Sequence, residues 1–207
     1  MTAPAVVRVP ASRWERWVAN FGDRHPGTVL AVADGALHGA ATDGSVFEAR
    51  LPLDAPYAGS PDPAAFLAAR ALPERWGVLL VRKGGYAVAR LTGETTVASK
   101  VGRRHVQGRT KAGGQSQQRF ARRRANQAQA AYDAAAGHAA DVWGSGRITV
   151  VLGGDRAAAA EVLEDRRLVV DVRGPFLDVP DPRRDVLVGA IADAVAVQVR
   201  VTNAPGT

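Results

Sequence analysis

The sequence predicts an α/β (α+β) fold, a single domain in which helices pack on a mixed, largely antiparallel sheet. Two groups of short strand-like segments are each joined by turn residues, which is typical of antiparallel meanders. A long helical segment follows the second group, and strand-like and helical segments alternate after it. Apolar residues make up 46% of the 207 residues, which is enough for a core, so we assign residues 1–207 to one domain.

The chain is predicted to begin with a helix and a three-stranded meander. Ser12 and Glu15 have the spacing of a capping box, and Gly22 is suited to end this helix. Its apolar residues share one face and should pack on a sheet: Trp14, Trp17, Val18 and Phe21. The dipeptides Asp34-Gly35 and Asp43-Gly44 then separate three strand-like runs, and such dipeptides are strong hairpin signals.

A proline-rich connector leads to a short helix and a second meander. Residues 52–63 contain four prolines, and Asp62 followed by Pro63 predicts the start of a helix that extends to about Leu72. The segment 76–101 then contains strand-like runs with turns at residues 83–85 and near Gly93.

Residues 102–115 lack hydrophobic periodicity and are predicted to form a loop. From Ser116 to about Ala140 the alanines and aromatic residues cluster on one side of a helical wheel, which predicts a long helix. We expect the loop and this helix to project from the edge of the domain. The chain then predicts a strand, a helix from Asp155, a second strand, and a final helix from Asp181 to about Val199.

The positive charge is concentrated in one segment. The net charge is +7, and no acidic residue occurs between Glu94 and Asp133, where nine of the 27 basic residues lie. The other 18 basic residues and the 20 acidic residues give a net charge of −2 for the rest of the chain. A slightly acidic body with one basic segment indicates a nucleic-acid contact.

Several other classes of protein fit the sequence poorly. There is no cysteine, and the four histidines lack metal-ligand spacing, so we expect no metal and no cofactor. No segment has the length and apolarity of a signal peptide core or a membrane span, so we expect a cytoplasmic protein. Gly153-Gly154-Asp155 lacks the other residues of a phosphate-binding loop and predicts a capped turn between a strand and a helix.

A Gly113-Gly114-Gln115 tripeptide lies between the loop and the long helix, within the basic segment. The tripeptide alone is a weak signal, but the surrounding string GRTKAGGQSQQRFARRRANQA resembles the signature of the middle domain of eukaryotic and archaeal peptide-chain release factors. In particular the chain resembles the stand-alone bacterial members of the Vms-like release factors. It lacks room for a codon-reading domain, so the resemblance implies rescue of stalled ribosomes rather than stop-codon termination.

The resemblance implies a peptidyl-tRNA hydrolase that acts at the peptidyl-transferase centre of the large ribosomal subunit. Its partners would be the ribosome, peptidyl-tRNA and rRNA, with no membrane involved. The catalytic residues would be Gln115, Gly114 and Gly113, where glycines allow close backbone approach and Gln115 orients water or the oxyanion. The basic residues expected to bind RNA are Arg103, Arg104, Arg109, Lys111, Arg119, Arg122 and Arg123.

Two other functions stay open at this point. An endonuclease that removes the 3′ end of peptidyl-tRNA would use the same segment, although the presence of both glycines favours ester hydrolysis. A non-catalytic protein that binds the ribosome or rRNA would need only the basic helix. The products formed from ribosome-bound peptidyl-tRNA distinguish the three.

Overall fold

The computed structural model describes residues 3–83, 85–103 and 115–204, and it describes side chains of the long helix from Gln129 onward. The chain divides into two compact units, residues 1–72 with 192–207 and residues 73–191. Each unit has its own five-stranded sheet and its own buried apolar cluster. The predicted α/β class with mixed, mostly antiparallel pairing is confirmed, although the strands form two sheets where one was expected. The assignment of residues 1–207 to a single domain stays a prediction.

The sheet of the first unit is entirely antiparallel. Its strands are β1 (Ala5–Val9), β2 (Val29–Ala33), β3 (Ala36–Ala40), β4 (Val46–Arg50) and β10 (Val197–Thr202), in the order β1-β10-β4-β3-β2. Asp34 and Gly35 both have positive φ, 49° and 72°, as a two-residue hairpin turn between β2 and β3 requires. The predicted first meander is therefore confirmed.

Two helices belong to the first unit. A short 3-10 helix, Ala11–Arg13, leads into α1 (Trp14–Arg24), and α2 comprises Pro63–Ala68. The side chain of Asp62 caps α2, because its Oδ1 accepts a hydrogen bond from the Ala65 N–H at 2.7 Å. Aromatic residues of both helices pack with the sheet in a cluster that includes Trp14, Phe21, Phe47 and Phe66, so α1 packs on a sheet as predicted.

Three predicted boundaries in this unit were wrong. Ser12 does not cap α1, because the chain enters the helix through the 3-10 turn and no side chain caps it. Gly22 lies inside α1, which ends at Arg24 with the His25 N–H donating to the Phe21 carbonyl at 2.9 Å. The helix α2 ends at Ala68, before the predicted Leu72, within the sequence ARALP that precedes Pro73.

The C-terminal helix was predicted too long, and the first strand was not predicted. The helix α5 comprises Arg184–Ala194, and the residues that follow form β10 between β1 and β4. Val197 and Val199 are buried, while Gln198 and Arg200, which alternate with them, are more exposed, as the two-residue period of a strand requires. The local pattern of these residues fits a helix as well as a strand. Pairing with β1 and β4 therefore decides that they form a strand.

The second unit has a mixed sheet. Its strands are β5 (Trp76–Arg82), β6 (Gly85–Thr92), β7 (Thr95–Arg103), β8 (Ile148–Gly154) and β9 (Val170–Val172), in the order β7-β6-β5-β8-β9. The pairs β5–β6 and β6–β7 are antiparallel, which confirms the second meander, and β8 pairs in parallel with β5 and β9.

Two helices pack with this sheet. The long helix α3 comprises Gln115–Trp143, close to the predicted range of residues 116–140, and α4 comprises Arg156–Leu163. Their buried residues share one cluster with the sheet, which includes Ala135, Ala139, Ala159 and Val162. The sheet and the C-terminal part of α3 therefore form one core.

An ion pair follows α4. The Arg167 guanidinium donates to both carboxylate oxygens of Asp165, at 3.0 and 2.7 Å. This hydrogen bonding, together with a bond from the Arg167 N–H, lowers the pKa of Asp165 from 3.8 to about 2.

We expect Asp165 to titrate near 2 in the folded protein, measured from its carboxyl chemical shift during an NMR pH titration. Because the folded pKa lies below the unfolded value, the pair stabilises the fold above pH 3.8, and this contribution is lost as the pH falls towards 2. Arg167→Gln should return the pKa towards its ordinary value. A wild-type titration midpoint at that ordinary value would contradict the ion pair.

Candidate functional site

The C-terminal part of α3 is fixed on the second sheet. Ala135, Ala136 and Ala139 are at most 3% exposed, and Trp143 is 2% exposed. The Trp143 indole N–H donates to the Ala89 carbonyl at 2.9 Å. A Cβ on Gly77 of β5 would lie 2.5 Å from the Trp143 Nε1, so only glycine leaves room for the indole there.

The carbonyl groups at the end of α3 are hydrogen-bonded by two arginines. The Arg75 guanidinium donates to the carbonyls of Trp143 and Ser145, and Arg90 donates to the Val142 carbonyl at 2.9 Å. Cations at a helix C-terminus also interact favourably with the helix dipole. Gly144, with φ of 70°, ends the helix in the left-handed conformation. No local pattern in the sequence predicts these contacts.

The end of β7 packs beside α3. The Tyr86 ring of β6 stacks with His138 of α3, with ring centroids 5.7 Å apart. Gly102 lies against the same Tyr86 ring, where a Cβ would overlap it. Burial raises the pKa of Tyr86, so its hydroxyl stays protonated at neutral pH. These contacts fix the strand that leads into residues 104–114.

The structure describes part of the candidate site predicted from the sequence. Arg103 is exposed and is the last residue of β7, and Gln115 is the first residue of α3. Arg119, Arg122 and Arg123 occupy positions i, i+3 and i+4 in the early turns of that helix, positions that share one side of a helix. The remaining members lie outside the described residues: Arg104, Arg109, Lys111, Gly113 and Gly114.

The helix separates the tripeptide from the anchored core by a defined length. Gln115 begins α3, and Ala135 is buried in the core twenty positions later. At a rise of about 1.5 Å per residue, the intervening helix is about 30 Å long. A helix of this length can carry a loop well beyond the sheet that anchors it. Projection of the loop from the domain stays a prediction.

Gly153-Gly154-Asp155 forms a capped turn between β8 and α4, as predicted. The Asp155 side chain caps α4 by accepting hydrogen bonds from the N–H groups of Ala157 and Ala158 at 3.0 and 3.1 Å. The Asp155 N–H donates to the Val81 carbonyl at 2.7 Å, and Gly154 has a positive φ of 96°. These bonds occupy the groups that a phosphate would need, which supports a capped turn.

The described part of the chain offers no other obvious site of chemistry. Among residues 3–83, 85–103 and 115–204, no group of three or more acidic residues or histidines could hold a metal ion. Asp43 pairs with His25 at 2.7 Å, and Asp171 pairs with Arg173 at 2.9 Å. Within the same residues, no helix has the length and apolarity needed to cross a bilayer.

Comparison with known families decides the classification. The model of a family described as the Actinobacteria/chloroflexi VLRF1 release factor matches residues 74–200, more than half of the chain. The chain belongs to this VLRF1 release-factor family. The resemblance to Vms-like release factors found in the sequence is thereby confirmed. The VLRF1 match includes the tripeptide, the basic segment and the arginines at the end of α3.

Several solved structures match this VLRF1 protein, and one of them is an archaeal factor. The crystal structure of archaeal translation termination factor, aRF1, is 11% identical, with a TM-score of 0.36. The similarity covers 91% of this chain and 63% of the archaeal factor, so the VLRF1 chain spans less than two thirds of that factor. Comparison with curated proteins gave no match.

Proposed function

We propose that this VLRF1 protein hydrolyses the ester between the nascent peptide and tRNA on the ribosome, and so rescues stalled translation in the cytoplasm. The observation that carries the proposal is the position of Gly113-Gly114-Gln115 at the start of α3, a helix held at its other end by Trp143, Arg75 and Arg90. A glycine-containing tip at the end of a long helix would suit a catalyst that must enter an RNA-walled cavity.

The reaction needs positioning more than strong acid–base groups. Water attacks the carbonyl carbon of the peptidyl ester, the bond to the ribose oxygen breaks, and that oxygen takes up a proton. The Gln115 backbone N–H would stabilise the oxyanion or the leaving oxygen, and its side-chain amide would orient the water. The products are a free peptide acid and intact tRNA. Because the ester is already activated, correct placement of water supplies much of the rate increase.

The basic segment would bring this loop to its target. Arg119, Arg122 and Arg123 lie at helix positions that can face one RNA backbone, and Arg103 begins the connection from β7. The positive charge of residues 95–132 is not offset by any acidic residue. On this proposal these four arginines hold rRNA or tRNA phosphates near the peptidyl-transferase centre, together with Arg104, Arg109 and Lys111.

We expect ribosome binding to weaken steeply with salt. If about five phosphates are contacted, the logarithm of the binding constant should fall with the logarithm of salt concentration at a slope of roughly −3.5 to −4.5. Replacing Arg119, Arg122 and Arg123 together with Gln should reduce the slope by roughly 2 to 3. The measurement is sedimentation with purified large subunits at several salt concentrations.

The matched control replaces three exposed arginines elsewhere in the second unit, Arg147, Arg166 and Arg184, with Gln. It changes the net charge equally, so its slope should stay close to wild type. A flat salt response in the wild-type protein, or equal effects of the two triple variants, would contradict the assigned phosphate contacts.

The decisive test of the proposed reaction is a product analysis. Purified protein is incubated with ribosomes that carry labelled peptidyl-tRNA, and the RNA and peptide products are separated. Ester hydrolysis gives free peptide and full-length tRNA that can be aminoacylated again. A tRNA shortened at its 3′ end would favour the endonuclease, and ribosome binding without any cleavage would leave only a binding protein.

A further inference from the structure

A second basic surface lies on α1 in the first unit. One side of this helix forms a surface that we call the α1 groove. It carries Arg13, Arg16, Trp17, Asn20 and Arg24. A cavity of about 630 Å³ lies at one end, lined in part by Trp17, Asn20 and Arg24. A second cavity of about 390 Å³ includes Arg13 and Arg16 and shares Trp17 and Asn20 with the first. Trp17 and Asn20 therefore line both cavities.

Trp17 differs from the other tryptophans in its indole N–H. Trp14, Trp76 and Trp143 are fully or almost fully buried, and each donates to a backbone carbonyl at 2.7 to 2.9 Å. Trp17 is only partly buried, and among the described residues its N–H has no acceptor. The indole is nevertheless held firmly, stacked with both Trp14 and Phe21 and edge-on to Phe47. It offers the edge of a fixed indole, with a donor available to a ligand.

The charge of the α1 groove is positive. Arg13, Arg16 and Arg24 are exposed, and within the described part of the chain none has a carboxylate at ion-pair distance. The residues lining the two cavities include no aspartate or glutamate. Glu15 lies on another side of α1, and Asp23 lies at the border of this face next to Arg16. Three unpaired cations beside an aromatic ring favour an anionic, aromatic ligand.

We propose that the α1 groove binds single-stranded RNA. An unstacked base would lie beside the edge of Trp17 in the larger cavity, whose other walls include the apolar side chains of Val7, Phe21 and Val201. The Trp17 N–H and the Asn20 amide would bond to the base edge, and the arginines would hold the flanking phosphates. An acidic peptide would use the arginines but would leave the aromatic cavity without a matching group, so RNA fits better.

The α1 groove is separate from the basic segment around the tripeptide. It lies in residues 13–24, before the region 74–200 that the family model matches. It belongs to the first compact unit, whereas α3 belongs to the second. The protein would then bind RNA at two places. RNA binding by the α1 groove can be measured without a hydrolysis assay.

The test follows the four indole N–H signals of the ¹⁵N-labelled full-length protein by NMR as a single-stranded RNA decamer is added. Trp17→Phe assigns its signal. We expect the Trp17 signal to shift until the RNA saturates the groove, while the three buried indoles hardly move. An unchanged Trp17 signal under conditions where fluorescence anisotropy reports bound RNA would overturn the proposal, whatever the hydrolysis assay gives.

A charge-reversal pair tests the arginines. To reduce binding by the other basic surface, the background carries Gln at the three arginine positions of early α3. In that background Arg16→Glu with Arg24→Glu should weaken RNA binding by at least about tenfold, since two phosphate contacts become repulsive. The control Arg147→Glu with Arg166→Glu changes the net charge equally on exposed positions of the second unit.

Equal losses of RNA affinity in the groove double variant and the control double variant would overturn the proposal, because net charge alone would then explain binding. A Trp17 shift produced by polyglutamate but not by RNA would also overturn it, in favour of an acidic protein partner. The indole signal of Trp14, which is buried in the first unit, reports whether the groove variants are folded, and the signals of Trp76 and Trp143 report the same for the second unit.

Discussion

Gly114→Ala is expected to lower the rate of peptidyl-tRNA hydrolysis by at least about 100-fold, because a misplaced oxyanion donor costs roughly 2.7 to 4 kcal/mol. A methyl group at this position restricts the backbone conformations open to the loop and blocks close approach to the tRNA end. Binding to the ribosome should remain, since the phosphate contacts belong to other residues. The expected loss is therefore in the chemical step.

Single-turnover kinetics on ribosomes saturated with the protein measures this step directly. Gly189→Ala is a suitable control, because Gly189 lies inside α5 with no positive φ and a Cβ there would have no atom within 4 Å. That control should hydrolyse at the wild-type rate. If the Gly114→Ala variant hydrolyses at the wild-type rate, the loop takes no part in the mechanism.

Gln115→Ala separates two contributions within the tripeptide. The substitution keeps the backbone N–H but removes the side-chain amide, so it should impair the positioning of water and retain the oxyanion contact. We expect a smaller loss than for Gly114→Ala, or at most an equal one. A Gln115→Ala loss much larger than that of Gly114→Ala would assign the main role to the side chain.

Local signals explain why much of the fold could be predicted from the sequence. The Asp34-Gly35 turn has the positive φ values that the residue types favour, and Asp62 and Asp155 cap helices where their positions predict. The C-terminal segment was harder because residues 192–199 fit a helix as well as a strand. Its pairing partners, β1 and β4, are far away in the sequence, so no local pattern could decide the structure.

The candidate site likewise contains residues that the local sequence predicts and residues that only the fold reveals. The tripeptide and its basic helix are contiguous, so residue types and spacing predicted both. The arginines that hold the end of α3 bond to residues 52 to 70 positions away, which no local pattern reveals. Trp17 likewise cannot be told from the other tryptophans by sequence, because only the fold provides acceptors for three indole N–H groups.

Trp143→Ala is expected to have the largest effect on stability, a loss of about 3 to 5 kcal/mol in the free energy of unfolding. The substitution empties a space bounded by Gly77 and removes the donor bonded to the Ala89 carbonyl at 2.9 Å. It also weakens the anchored end of α3, whose other end carries the tripeptide. Denaturant unfolding followed by circular dichroism measures the loss, and Val188→Ala, at a residue 62% exposed, should change stability little.

Trp143→Phe then separates packing from hydrogen bonding. Phenylalanine fills most of the space but removes the indole N–H that donates to the Ala89 carbonyl, and the loss of this hydrogen bond costs about 0.5 to 1.5 kcal/mol. If the anchored end of α3 determines where the loop lies, Trp143→Phe should also slow hydrolysis under conditions where the protein stays folded. Reduced stability with an unchanged hydrolysis rate would mean that the ribosome alone positions the loop, and that the anchor of α3 serves folding only.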